Sequence, residues 1–263
     1  ILPEHFMPAF ERGMSLHEAE IDAITSNKDE ATFENTILAY DNAGQMLAQT
    51  ELVFGMLCAA ETNDRMQALQ EQAMPLLAAH RDKIRLDDKL FVRVKEVYDR
   101  RAALGLDAEQ MRLLQKTYDS FVRAGALLDA EQKARLKEIN GQLSLTAVKF
   151  GNNILAENNN FVLELKSDEL DGLPAGIRDA AREKAQQMGK GDKWVFTLHK
   201  PSLIPLLTYS TRRDLREKIY KAYLNRCNNG DEYDNKQLIN DFIRLRTEKA
   251  HLLGYPSYAA YVA

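Results

Sequence analysis

Hydrophobic side chains recur at helical spacing along the first 157 residues, and polar residues occupy the positions between them. This pattern predicts helices that start near residues 3, 32, 63, 87, 107 and 129. The second is expected to end near residue 61, and the last to run toward residue 157. Asp107 with Gln110, and Asp129 with Gln132, have the three-residue spacing of a capping box. Pro75 is expected to kink the third helix, because its ring removes a backbone donor and clashes with the preceding turn.

The pattern changes after residue 157. Residues 161–165 and 193–198 are typical of short strands, and a helix is predicted between them over 175–188. Helical spacing resumes at residue 203 and is strong over 211–226 and 235–253. We therefore predict a mainly α fold, a multi-helix assembly of long antiparallel helices with a small two-stranded β element near residues 161–198. The predicted division is a helical region 1–157, an α+β insert 158–210 and a second helical region 211–263.

Composition fits a globular protein, with 45% hydrophobic and 28% charged residues. The net charge of -4 provides no basic field, so neither nucleic acid nor an anionic membrane is an expected partner. No apolar stretch is long enough to span a bilayer. The chain begins with Ile1 rather than Met, so we expect that an upstream segment was removed. The expected compartment is the cytoplasm, with the periplasm as the alternative.

The two cysteines, Cys58 and Cys227, are too few for a disulfide framework or a zinc knuckle. Cys58 lies in an apolar run, where a small buried thiol is the favoured interpretation. A catalytic cysteine is the alternative. No neighbour in the sequence would lower the pKa of the Cys58 thiol, so we favour the buried role.

Several histidines come close to metal-binding patterns. A zinc-peptidase helix needs two His four residues apart with a Glu beside the first, and the string that starts at His17-Glu18 has Ile21 where the second ligand must stand. Glu248 and His251 have a spacing used in di-iron bundles, but only one copy occurs, so an exposed helical pair is favoured over a metal site. The remaining histidines are expected at surfaces or helix ends: His5, His80 and His199.

A cluster of basic residues could hold a carboxylate or a phosphate. Its members are Arg212, Arg213, Arg216, Lys218 and Lys221. Asp214 and Glu217 are interleaved with them, so a salt-linked helix face is the favoured interpretation. The sequence also lacks a Walker glycine loop, a complete dinucleotide fingerprint and a Gly-x-Ser-x-Gly elbow.

An ordered series of segments along the chain resembles the zinc metallopeptidase family of oligopeptidase A, thimet oligopeptidase and peptidyl-dipeptidase Dcp. The matching segments are residues 3–11, 32–37, 143–153, 170–174, 194–198, 213–226 and 245–261. The Dcp-like branch is the most similar, with oligopeptidase A as the near alternative. Tyr220, Tyr223 and Arg226 match the family pattern, and their spacing fits helix packing as readily as substrate contact.

The resemblance implies a mainly helical enzyme with a deep channel that admits short peptides, and a zinc ion on the channel floor. By this resemblance the chain is expected to be the N-terminal, non-catalytic portion of such an enzyme, with residues 211–263 as the truncated start of the catalytic-region helices. No catalytic or metal residue can be carried over, because no position matches the family's zinc motif. Zinc is expected in the parent enzyme and not in this chain, and the expected substrates are short peptides.

Two other hypotheses stay open at this point. The chain could be a free-standing helical module that binds a peptide or protein without enzymatic activity, or a metal-dependent bundle built on Glu248 and His251. If the chain is a fragment, its last helices should expose an apolar strip and self-associate. The residues expected in this strip are Ile239, Phe242, Leu252 and Tyr258.

Overall fold

Side-chain caps set the starts of several helices in the computed structural model, which describes residues 1–263. Asp107 accepts a hydrogen bond from the backbone N–H of Gln110 at 2.8 Å, and the Gln110 side chain accepts one from the Asp107 N–H at 3.1 Å. Asp129 and Gln132 form the same reciprocal pair. Both predicted capping boxes are therefore confirmed, and each cap contributes about 1 kcal/mol to helix stability.

The fold is mainly α with one two-stranded sheet, as predicted. The helices are α1 (Phe6–Ser26), α2 (Ala39–Asp41), α3 (Gln45–Ala60), α4 (Asp64–Arg85), α5 (Asp88–Asp99), α6 (Ala108–Ala124), α7 (Ala130–Asn160), α8 (Ala175–Gln187), α9 (Lys200–Tyr209), α10 (Arg213–Leu224), α11 (Lys236–Leu252) and α12 (Tyr258–Val262). The strands are β1 (Leu163–Leu165) and β2 (Trp194–Phe196). None of the helices has both the length and the apolar character that crossing a membrane requires.

The single helix predicted from residue 32 to residue 61 is wrong. Thr32 does cap a helical start, since its hydroxyl accepts from the Asn35 N–H at 3.1 Å, but the turn that follows is a π-helix over Phe33–Leu38. The chain then breaks before α3 at Gly44, which has φ +75°. A Cβ at this position would also lie 2.9 Å from the His17 ring, so both conformation and space favour glycine here.

One compact unit comprises Ile1–Val148 and Phe242–Ala263. Inside it, α1 packs against α3, α4 and α5. One of its apolar clusters is aromatic, since the Phe54 ring lies 5.0 Å from the Phe6 ring and 5.2 Å from the Phe10 ring. Such ring pairs add about 0.5–1.5 kcal/mol beyond the burial of their area. A second cluster joins α1, α5 and α6 through side chains that include Ile24, Val94 and Phe121.

The other compact unit comprises Lys149–Asp241. Its sheet is antiparallel, with Leu163 opposite Phe196 and Leu165 opposite Trp194, so the predicted pairing of the two strands is confirmed. The sheet, α8, α9 and α10 share one apolar core that includes Phe196. The three-part division at residues 157 and 210 stays a prediction.

Candidate functional site on helices α9 to α11

Helix α10 has one buried face and one exposed face. Leu215 and Ile219 point into the apolar core of residues 149–241. Arg213, Tyr220 and Leu224 lie on the outer face at intervals of seven and four residues, which align on one side of an α-helix. The spacing therefore places a set of charged and apolar side chains along a single exposed surface.

This surface borders a groove of about 560 Å³. We call it the α9–α10 groove, and its lining residues are Leu207, Arg213, Arg216, Glu217, Tyr220, Lys221 and Leu224. Tyr220 is 50% exposed and Leu224 is 61% exposed, and the two side chains are one helical turn apart, so they form adjoining apolar surface. The groove thus combines cations with uncovered apolar surface.

The charges of α10 are partly paired. Arg212 contacts Asp214 at 2.7 Å, and Lys221 contacts Glu217 at 2.6 Å. The hydrogen bond from Arg212 lowers the pKa of the Asp214 carboxyl, and that from Lys221 lowers the pKa of Glu217. These two pairs confirm the prediction of a salt-linked helix face.

Three of the predicted cations are outside these pairs. Arg216 donates to the backbone carbonyl of Ser210, which satisfies part of its guanidinium but leaves its charge without a counter-ion. Arg213 and Lys218 are exposed and form no ion pair. Arg213 lines the groove, whereas Lys218 does not.

The three residues that match the family pattern near the end of α10 separate into two roles. The Arg226 guanidinium stacks over the Tyr223 ring at 3.8 Å, and its other hydrogen bonds run to the Tyr223 carbonyl and the Asn158 side chain. Tyr223 and Arg226 therefore stabilise the end of the helix. Tyr220, in contrast, faces the α9–α10 groove.

The segment after α10 is held by buried polar contacts. Cys227 has φ +55°, and its backbone N–H donates to the Glu157 carboxylate. Asn153 donates to Asn235 at 2.8 Å in a buried contact. Burial and the neighbouring Glu157 raise the pKa of the Cys227 thiol to about 12, so this thiol is not a nucleophile near neutral pH.

Cys58 is half-buried rather than fully buried, and it packs at the edge of the aromatic cluster in Ile1–Val148. Burial raises its pKa. This agrees with the structural role that the sequence favoured over a catalytic one.

Glu248 and His251 of α11 have separate partners. Arg135 of α7 donates two hydrogen bonds to the Glu248 carboxylate, at 2.6 and 2.9 Å. The His251 ring lies 3.3 Å from the carbonyl of Pro256 and is exposed. The two side chains therefore do not share a partner, and Glu248 is the first part of an anchor that holds α11 to α7.

A second part of this anchor is a polar chain through Asn140. Its side chain donates to the Asp82 carboxylate at 2.9 Å and accepts from the Lys249 ammonium at 2.7 Å. Burial raises the pKa of Asp82 and lowers the pKa of Lys249, because a low-dielectric surrounding disfavours both charges. Sequence analysis missed all three residues, since they lie on α4, α7 and α11, and no local spacing links them.

The expectation for His80 is wrong. His80 is only 5% exposed, in the interior of α4, and its Nε2 lies 3.0 Å from Nδ1 of His17 on α1. Glu18 lies 3.5 Å from the other ring nitrogen of His80 and 2.9 Å from Lys83. The packing of α1 on α4 buries His80 here. His5 and His199 do lie at helix ends, as expected.

The side chains around His80 do not fit a zinc site of the kind that the family resemblance implies for the parent enzyme. The chain contains no group of three or more His, Cys, Asp and Glu side chains that could hold a metal ion. Nε2 of His80 and Nδ1 of His17 form a hydrogen bond with each other, and Glu18 forms an ion pair with Lys83. The prediction that this chain supplies no catalytic or metal residue stays a prediction.

The exposed apolar strip is confirmed only in part. Ile239 is 45% exposed, whereas Phe242, Leu252 and Tyr258 are half-buried. The Arg246 guanidinium covers the Phe242 ring at 4.7 Å and the Tyr258 ring at 5.1 Å, which explains two of the three differences.

The segment that contains the α9–α10 groove and α11 matches a known protein family. The family model for peptidase family M3 matches residues 206–263. The chain is 36% identical to the dipeptidyl carboxypeptidase of Escherichia coli over 99% of its own length and 38% of that protein. Identity to the dipeptidyl carboxypeptidase of Salmonella typhimurium is 34%, and to the oligopeptidase A of the same organism 25%, over 98% of this chain and 38% and 39% of those proteins. The chain thus spans about two fifths of the length of these relatives.

Proposed function

The chain is homologous to the peptidases of family M3, and from this premise we propose that it is the N-terminal, non-catalytic portion of a zinc metallopeptidase that hydrolyses short peptides. In this proposal the chain forms one wall of the substrate channel. The activity is that of a peptidyl-dipeptidase or an oligopeptidase.

One observation carries the proposal. The 36% identity to a dipeptidyl carboxypeptidase extends over 99% of this chain but only 38% of the relative. Shorter family motifs could arise by chance, whereas a match along nearly the whole chain supports common ancestry of the complete helical region. The higher identity to the dipeptidyl carboxypeptidases than to the oligopeptidase A favours the first branch.

Two structural features support the role as a wall. The exposed face of α10 lies within the segment that the family model matches, and it has both polar and apolar side chains to offer a peptide. Helix α11 is held by the contacts of Glu248 and Lys249 with α7. A channel with such a wall would admit only short, unfolded substrates.

Zinc in the parent would polarise the scissile carbonyl and activate a water molecule for attack. We assign the zinc ligands to the part of the parent that this chain does not contain, because the donors described above do not form a zinc site. The cytoplasm is the proposed compartment, with the periplasm as the alternative.

A dipeptide-release assay with a short peptide substrate tests the proposal. The chain of 263 residues and the complete parent protein are purified in parallel, and zinc content and released dipeptide are measured for both. We expect the parent to contain zinc and to release dipeptides, and the isolated chain to do neither. Peptide cleavage by the isolated chain, or a parent without metal-dependent peptidase activity, would contradict the proposal.

A further inference from the structure

The α9–α10 groove has a cationic half and an apolar half. Arg213 and Arg216 line the half that lies at the start of α10, and Tyr220 and Leu224 line the half near its end. We propose that the α9–α10 groove binds an acidic peptide segment that also carries a large apolar side chain.

The charge of the groove supports an acidic occupant. Its lining contains three cations and one carboxylate, Glu217, which is already paired with Lys221. Neither Arg213 nor Arg216 forms a close ion pair, although the Arg213 charge also acts on Glu217, which is paired with Lys221. Their position in the first turn of α10 is also unfavourable, because the positive end of the helix dipole adds to their charge. A carboxylate on a bound peptide would relieve both effects.

The apolar half of the groove adds a preference for an apolar side chain to the preference of the cationic half for negative charge. Tyr220 and Leu224 are one helical turn apart, and Leu207 of α9 faces them across the groove. Leu224 is 61% exposed, so covering it with a leucine or phenylalanine side chain would remove apolar surface of both partners from water.

The dimensions fit a short peptide. Arg213 and Leu224 are eleven residues apart, which corresponds to about 16 Å along the helix axis. An extended peptide of about five residues covers this distance. The carboxylates and the apolar side chain of the occupant should therefore lie within one such stretch.

A peptide fits these features better than a nucleic acid does. The net charge of -4 opposes the approach of any anion, and it opposes a peptide with two carboxylates less than an oligonucleotide with many phosphates. An oligonucleotide would also leave the apolar half without a matching side chain. The inference rests on the proposed function in assigning a peptide to the exposed face of α10. A binding assay on the chain alone measures no peptidase activity, so the two proposals can fail separately.

Fluorescence anisotropy measures the binding directly. The probe is a labelled peptide with two glutamates followed by a leucine three residues later. It is titrated with the chain at an ionic strength of about 0.15 M, where exposed charges more than about 8 Å apart are largely screened. Arg213→Glu should weaken binding about tenfold, because it replaces attraction by repulsion at the cationic half. Lys218→Glu is the matched control, since it makes the same charge change on the same helix outside the groove, and it should change affinity less than about twofold.

A second arm tests the apolar half. Leu224→Ser should weaken binding of the leucine peptide, but not of a peptide in which serine replaces the leucine. Both side chains are exposed, and circular dichroism shows whether the variants keep the fold. The inference is overturned if the chain does not bind the probe, if glutamine can replace the glutamates without loss, if Lys218→Glu weakens binding as much as Arg213→Glu, or if an oligonucleotide of equal charge binds as tightly.

Discussion

His80 is a buried histidine, and its burial favours the neutral form of the ring. Burial lowers the pKa of His80, and burial followed by the nearby His80 charge lowers that of His17. Of the surrounding charged groups, Glu18 raises the pKa of His80, whereas Lys83 and Arg81 lower it. Glu20 and Glu51 act on His17 in the raising direction. The net effect is a neutral pair that bridges α1 and α4.

This bridge makes stability depend on pH. Because the folded-state pKa of His80 lies below the ordinary histidine value of 6.5, the unfolded chain binds more protons in the range below that value. The free energy of unfolding should therefore fall as the pH is lowered from about 7 toward about 5. Urea denaturation at several pH values measures this slope.

The variant His80→Gln should flatten that slope and reduce stability at neutral pH, since it removes the titrating ring and its contact with His17. His251→Gln provides the control, because its ring is exposed and lies outside the bridge. An unchanged slope in His80→Gln would show that other groups dominate the acid response.

At the scale of elements, the sequence predicts helices through signals that act within a few residues. Capping side chains and the alternation of buried and exposed positions locate the start of α6, and both ends of α7, α10 and α11, to within a few residues of the observed ones. The break at Gly44 escaped prediction because hydrophobic residues continue at helical spacing on both sides of it. The left-handed conformation and the close His17 ring, which decide the break, arise only after packing.

Contacts between distant elements have no such local signal. The Arg135–Glu248 and Asn140–Lys249 contacts join residues that are 113 and 109 positions apart. For the same reason the sequence placed the basic residues of α10 on one helix but gave no indication of the α9–α10 groove, which also needs Leu207.

The polar chain through Asn140 should be a main determinant of how firmly α11 is held. Replacing Asn140 by Ala leaves the Asp82 carboxylate and the Lys249 ammonium without their shared partner in a partly buried site. We expect a loss of about 1–3 kcal/mol in the free energy of unfolding. Thermal and urea denaturation measure it.

Gln142→Ala is the matched control for this substitution. It lies on the same helix and shortens an exposed amide side chain, so it should change stability by less than about 0.5 kcal/mol. Equal losses in the two variants would show that the effect comes from helix α7 itself and not from the anchor of α11.

At the scale of the whole molecule, exposed apolar surface on α11 should govern self-association. Ile239 and Ile243 are 45% and 60% exposed and stand one turn apart on this helix, so their side chains form a continuous apolar surface. Sedimentation velocity should show a concentration-dependent increase in mass for the isolated chain. The double variant Ile239→Gln, Ile243→Gln should suppress this association, because it removes the apolar surface that two copies of the chain would bury against each other.

Val92→Gln is the control for this effect, since Val92 is an exposed apolar residue on α5, remote in sequence from α11. It should leave the association of the chain unchanged. A wild-type chain that stays monomeric at every concentration, or a double variant that associates as strongly as the wild type, would contradict the prediction.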